Sequence, residues 1–348
     1  MPESEVDLKH MLENTRDSYP CSPEEAIITE LVANALDSEA SEVRFEVNDY
    51  RRILKIEDNG RGMSQKGLID YHNIASTDKT RGKGIGFAGV GAKLALLYAD
   101  KVVTETKRGT FHKATSWRLV SRSFIPWEYV RTNGKIAFSH GTSVSIHLRN
   151  HNRYLLDENV IRRVIQASFY PILHEEFMNA VLKVVYKKGV RFYVGSQEVK
   201  LPEGTKKAKQ FLVKLGKRKK PVGIGIVQKF ITPVEEEKRG IAISTYGKVI
   251  KRGWEWIGIM PNNPTRLTGI VEVPDLSQIL LSNKMDFLRD TNSLQKYYRY
   301  RKAIQKAITP VLSELGEISQ THEKSEKRLR SLEEEIQRAL GNMLDDFP

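Results

Sequence analysis

Residues 53–63 read ILKIEDNGRGM, and the meaning of this stretch decides what the rest of the chain can be. It follows EVRFEVN at 42–48, and the two segments alternate apolar and polar residues around an Asn48-Asp49 turn, as a β-hairpin does. Asp58 then falls at the end of a strand, where a carboxylate can accept hydrogen bonds from the edge of a base. Gly60 and Gly62, followed by Met63, let backbone approach a flat ring without a Cβ in the way. Standing alone, Asp-Asn-Gly reads equally well as an ordinary turn.

Upstream, Ser22 is placed to cap a helix that starts with Pro23, carries Glu25 three residues on, and runs through AIITELVANALD to Asp37. Glu30 and Asn34 lie four apart and so share one side of that helix. Neither belongs to the apolar stripe of Ile27, Leu31 and Ala35. A carboxylate that orients and deprotonates water beside an amide oxygen that ligates Mg²⁺ suits a metal–phosphate centre. An isolated E-x-x-x-N also reads as a solvated helix face.

Downstream, Gly82, Gly84, Gly86, Gly89 and Gly91 lead into a helical run, AKLALLYAD, so that free N–H groups and the positive end of a helix can meet phosphate oxygens. The cluster is not a Walker A loop, because Ala92 and Lys93 stand where Lys and Ser or Thr are required. It is not a dinucleotide fingerprint either, for want of a parallel βαβ unit and a later ribose-binding acid.

Composition sets the outer limits. The 348 residues suffice for two domains, and 40% hydrophobic with 28% charged residues is a globular balance. The single Cys21 excludes an internal disulfide and a cysteine metal cage, and suits a reducing compartment. The amino terminus is charged where a signal peptide is apolar, and LALLYA at 94–99 is far short of the ~20 residues that span a bilayer. The expectation is an intracellular protein, cytoplasmic or nucleoid/nuclear, with no membrane partner. The formal charge of +13 favours polyanions. It is concentrated in KKAKQFLVKLGKRKK at 206–220, eight basic residues without an acid, which can follow a phosphate backbone or form a solvated loop. Phe211 within it can stack on a base or pack inside.

The texture changes near residue 152. A helix over 157–176 is expected, then strands in VLKVVYK, PVGIGIVQ, IAISTYGK and TGIVEV, and a charged helix from Thr291 onward.

ELVANALD, EDNGRGM, STDKT with IGFAGVGAKLALLYAD, and HGTSVSIHL, in this order, resemble the four boxes of the GHKL superfamily: gyrase, ninety-kilodalton heat-shock chaperones, histidine kinases, MutL and MORC ATPases. The likeness covers about residues 22–149. It implies an α+β chain: an arm at 1–21, a Bergerat-type ATP-binding α/β sandwich at 22–152, an α+β transducer at 153–290 and a charged helical tail at 291–348. By resemblance, Glu30 is the general base and Asn34 holds Mg²⁺. Asp58 binds the adenine amino group, Gly62 lies beside the base, and Met63 joins the nucleotide contacts. Lys79, Gly86, Gly89, Val90, Gly91, Ala92 and Lys93 form the lid and phosphate contacts, and Thr142 supports adenine through water. TGIVEVPDLSQILLSNKMDFLRD is similar to the MORC transducer segment, which makes Lys284 the cation at the γ-phosphate, with Lys248 and Lys251 as weaker candidates.

The resemblance implies an ATPase requiring ATP and Mg²⁺, an ATP-dependent homodimer, and DNA as partner through 206–220. The alternative is a chaperone-like ATPase acting on client proteins, from whose pattern Ala88 departs where the chaperones carry an aromatic residue. A protein histidine kinase is not expected, since His10 alone precedes the nucleotide boxes and lies in a polar segment.

Overall fold

The computed structural model describes residues 6–74, 82, 84–85, 91–132, 134, 136–201, 208–216 and 220–318. Two helices come first, α1 (Leu8–Asp17) and α2 (Pro23–Asp37). Ser22 caps α2 as expected, its hydroxyl accepting the Glu25 N–H at 3.2 Å. The hairpin follows as β1 (Glu42–Asn48) and β2 (Ile53–Asp58), antiparallel with Val47 opposite Leu54. Its four-residue turn is closed by the Arg51 N–H on the Asn48 side chain at 2.9 Å.

After α3 (Gln65–His72) come β3 (Ala99–Arg108), β4 (Phe111–Trp117), β5 (Trp127–Val130) and β6 (Gly141–Leu148). Then follow α4 (Glu158–Ser168), α5 (Tyr170–Leu173), α6 (Glu175–Ala180), β7 (Arg191–Val194) and β8 (Gln197–Glu198). The eight strands make one sheet in the order β5-β4-β3-β6-β2-β1-β7-β8, antiparallel except between β1 and β7. Inward residues Val43, Phe45, Leu54, Ile56, Val102 and Ile146 share a core with Ile27, Ile28 and Leu31 of α2 and Ile161 and Ile165 of α4.

A second sheet, β12-β11-β13-β10-β9, comprises β9 (Lys209–Val213), β10 (Gly223–Lys229), β11 (Gly240–Thr245), β12 (Lys248–Gly253) and β13 (Leu267–Glu272). One face meets the first core through Ile224, Ile226, Ala242 and Ile270. The other packs on α7 (Thr291–Glu314) through Ile304, Ile308 and Leu312. The architecture is α+β, with helices layered against mixed sheets.

Several expectations change. The first residues are not simply a polar arm: α1 buries Leu12, and the Lys9 N–H bonds to the Arg122 carbonyl at 2.8 Å. The single helix over 157–176 is three, because Pro171 supplies no N–H and restrains the residue before it. VLKVVYK is a short 3-10 turn, with only Leu182 and Tyr186, four apart, buried. AKLALLYAD shortens to a seven-residue 3-10 helix, Gly91–Leu97, and Ala99 already belongs to β3. Residues 191–198, well past the change of texture at 152, complete the first sheet through β1.

Candidate active site

α2 is buried on nearly every side, so Glu30 faces protein rather than water. The residue is 2% exposed. The Tyr19 hydroxyl, from the segment between α1 and α2, donates to Oε1 at 3.1 Å. The Lys284 ammonium, from the loop before α7, forms an ion pair with Oε2. Lys284 is 1% exposed and has a left-handed backbone, φ 56°. A non-glycine residue in that region needs its surroundings to hold it there. Here the Lys284 N–H bonds to the Leu281 carbonyl and the Asn283 amide donates to the Ser18 carbonyl at 2.7 Å. The solvated-face reading of Glu30 is therefore excluded.

At the far end of the same helix, Asp37 Oδ1 accepts the Ile85 N–H at 2.8 Å, and its carbonyl accepts from the Arg61 guanidinium. α2 thus ties the segment entering the glycine cluster to the loop after β2. From the turn between β11 and β12, the Tyr246 hydroxyl donates to the Gly82 carbonyl at 3.0 Å.

Asp58 ends β2, opposite Thr142 in register on β6. Its Oδ1 accepts the Gly60 N–H at 2.8 Å and the Ser38 hydroxyl at 3.2 Å. The Met63 N–H donates to Thr106 Oγ1 at 2.7 Å, and Thr106 lies 3.4 Å from the Thr142 hydroxyl. Gly62 has φ 66°, and a Cβ there would stand 2.2 Å from the Lys107 carbonyl oxygen. Gly141, φ 138°, would place one 1.9 Å from the Asp58 carbonyl oxygen. Both glycines are thus already required by backbone packed against backbone, apart from any approach to a ligand.

Residues 21–147, with this helix, hairpin and closing strand, match the family described as Histidine kinase-, DNA gyrase B-, and HSP90-like ATPase. This region is similar to GHKL ATPase domains. The chain is also similar to chaperone protein HtpG of Rickettsia bellii, 25% identical over 178 residues covering 42% of this chain and 28% of that protein. HtpG of Verminephrobacter eiseniae is 29% identical over 157 residues, covering 40% and 23%. HtpG of Shewanella halifaxensis is 23% identical over 176 residues, covering 46% and 26%. The aligned part therefore spans only about a quarter of these relatives' length.

Within the matched region, Glu30 and Asn34 lie on α2, Asp58 ends β2, Gly62 and Met63 follow in the loop before α3, and Thr142 lies at the start of the neighbouring β6. Lys93 goes elsewhere: its ammonium bonds to the Asn73 carbonyl after α3, and burial pulls its pKa down to about 8. Gly91 and Ala92 open the 3-10 helix, whose few aligned peptides give a weaker dipole than the expected α-helix. Lys79, Gly86, Gly89 and Val90 lie outside the described residues. Tyr19, Asp37 and Thr106 were not singled out in the sequence, although Asp37 completes ELVANALD. Among the described residues no group of three His, Cys, Asp or Glu could cage a metal.

Phe211 does not stack on a base. It is 5% exposed, facing Gly225 across the β9–β10 pair. Lys209, Lys214 and Lys220 of the basic run are exposed, while 206–207 and 217–219 lie outside the described residues. Among the described residues no helix is long and apolar enough to cross a membrane.

Burial pushes the Asp58 carboxyl up from 3.8 to about 7, against the lowering effect of the Gly60 and Ser38 bonds. A folded pKa above the unfolded one gives stability that is complete below about pH 4 and is lost as pH rises through about 7. The thermal midpoint of Asp58→Asn is accordingly expected to gain on wild type as pH goes from about 5 to about 8. Thermal scans across that range check this; a pH-independent difference would show that Asp58 titrates like an exposed acid.

Proposed function

We propose that this chain binds Mg·ATP between α2 and the β2–β6 strand ends and hydrolyses it, with Glu30 as general base and Lys284 as the cation at the terminal phosphate. The observation that carries the reading is the dry Glu30 carboxylate, already oriented by Tyr19 and Lys284. In this reading residues 22–152 form the nucleotide unit and 153–290 the transducer that delivers Lys284. Asp58, with Thr142, Gly62 and Met63 around it, receives the adenine edge. Asn34 holds Mg²⁺, which when bound neutralises phosphate charge. Transfer of Lys284 from Glu30 to the terminal phosphate frees the carboxylate to take a proton from the attacking water, and ADP leaves.

Nucleotide-gated pairing of two copies belongs to the same proposal. For what the machine acts on, the chaperone names of the relatives favour client proteins. The DNA-acting reading, like that of MORC or MutL, rests on the basic sequence of 206–220, of which Lys209, Lys214 and Lys220 are described and exposed.

Purified protein is expected to release phosphate from ATP with Mg²⁺ and not with excess chelator. Absence of turnover in both conditions would remove the enzymatic reading. Suppression of client aggregation, against DNA binding that weakens with salt, separates the two downstream roles.

A further inference from the structure

Three apolar side chains stand exposed around the end of α7. Phe230 and Ile231 follow β10 in the loop toward β11, and Ile231 is 91% exposed. Met260, between β12 and β13, is 66% exposed. Single exposed apolar residues are ordinary, but these share one anchorage. The Lys229 ammonium pairs with Glu317 at 2.7 Å and donates to the Leu315 carbonyl at 2.9 Å. The Asn262 N–H donates to the Glu317 carbonyl at 2.8 Å, and the Asn263 N–H to the Glu317 carboxylate at 2.7 Å. The Phe230 N–H bonds to the Arg266 carbonyl at 2.8 Å, which sets this loop beside the start of β13. Both apolar loops are therefore tied to residues 315–317, next to Ile318, where the described chain ends.

Residues 319–348 lie outside the described residues, and their sequence complements this patch. Leu329, Leu332, Ile336, Ala339 and Met343 recur at alternating steps of three and four, the period of one apolar helix face. Glu333, Glu334 and Glu335 lie within that stripe. Arg266, exposed beside Phe230, offers those acids an opposite charge. Only residues 319–328 separate Ile318 from Leu329, a tether that reaches up to about 35 Å. So short a tether gives an effective concentration on the order of millimolar, which favours the chain's own segment over a free partner.

We propose that Phe230, Ile231 and Met260 form the docking surface for segment 329–343 of the same chain, which lays its apolar stripe on them and turns its acids toward Arg266. While it is docked, the patch is withheld from other apolar partners. None of these residues enters the nucleotide reading, so this proposal stands or falls apart from it.

The test uses the full chain. Ile231→Cys combined with Ile336→Cys is expected to form a disulfide within one chain in most molecules under mild oxidation, located by peptide mapping. Tyr50→Cys with Ile336→Cys puts the first thiol on the β1–β2 turn and should give little. Thiol labelling supplies an independent reading. Leu332→Asp/Ile336→Asp is expected to speed labelling of Ile231→Cys about tenfold or more, because the cover is lost. Disulfides between two chains would assign the patch to a second copy and overturn the proposal. Equal yields from the control pair, or a labelling rate indifferent to the two aspartates, would overturn it as well. Met260→Cys with Leu332→Cys repeats the cross-link should the first pair not fold.

Discussion

Glu30→Gln is expected to bind ATP about as well as wild type while turning it over ~10²–10⁴-fold more slowly. Glutamine keeps the length of the side chain and one carbonyl oxygen. It can still accept a bond from Tyr19 or Lys284, the two groups that meet Glu30. What it cannot do is take a proton from water. Phosphate-release assays alongside calorimetric titration separate the two properties. Turnover at the wild-type rate would strip Glu30 of the base role, whatever the protein binds.

Lys284→Met is expected to lower unfolding free energy by about 3–5 kcal/mol, because it strands a buried carboxylate whose other bond comes from a neutral hydroxyl. Turnover is expected to vanish with it, since the same ammonium is assigned to the terminal phosphate. The double variant Glu30→Gln/Lys284→Met should regain most of the stability and none of the activity. Denaturant titrations of the four proteins form a double-mutant cycle, and a large coupling energy is the expected result. Additive single effects would mean that the two residues do not interact as the ion pair describes.

Much of the first sheet and its helices is legible in the sequence, for a physical reason. A hydroxyl cap before proline, a strict two-residue alternation and glycines at backbone crossings are local signals, and α2, β1 and β2 follow them closely. The pairing of Glu30 with Lys284 could be suspected only through family resemblance, because no local rule joins residues 254 apart. Tyr19 was invisible for a similar reason: it sits in a polar segment, and only the docking of α1 brings its hydroxyl to Glu30. The misread pieces, VLKVVYK and the helix over 157–176, are ones where apolar runs fit two periodicities and tertiary contacts chose. Resemblance puts Lys93 among the phosphate contacts, whereas in this structure its stem is buried and its ammonium bonds to the Asn73 carbonyl.

The span of the Glu30–Lys284 bond also bears on how the molecule is made. A ribosome releases Glu30 long before Lys284, which follows 254 positions later. Until that loop emerges, the acid in α2 lacks its ion-pair partner and must stay hydrated or bury itself at a cost. The unit built on the first sheet therefore reaches its finished interior only with sequence translated well after its own last strand.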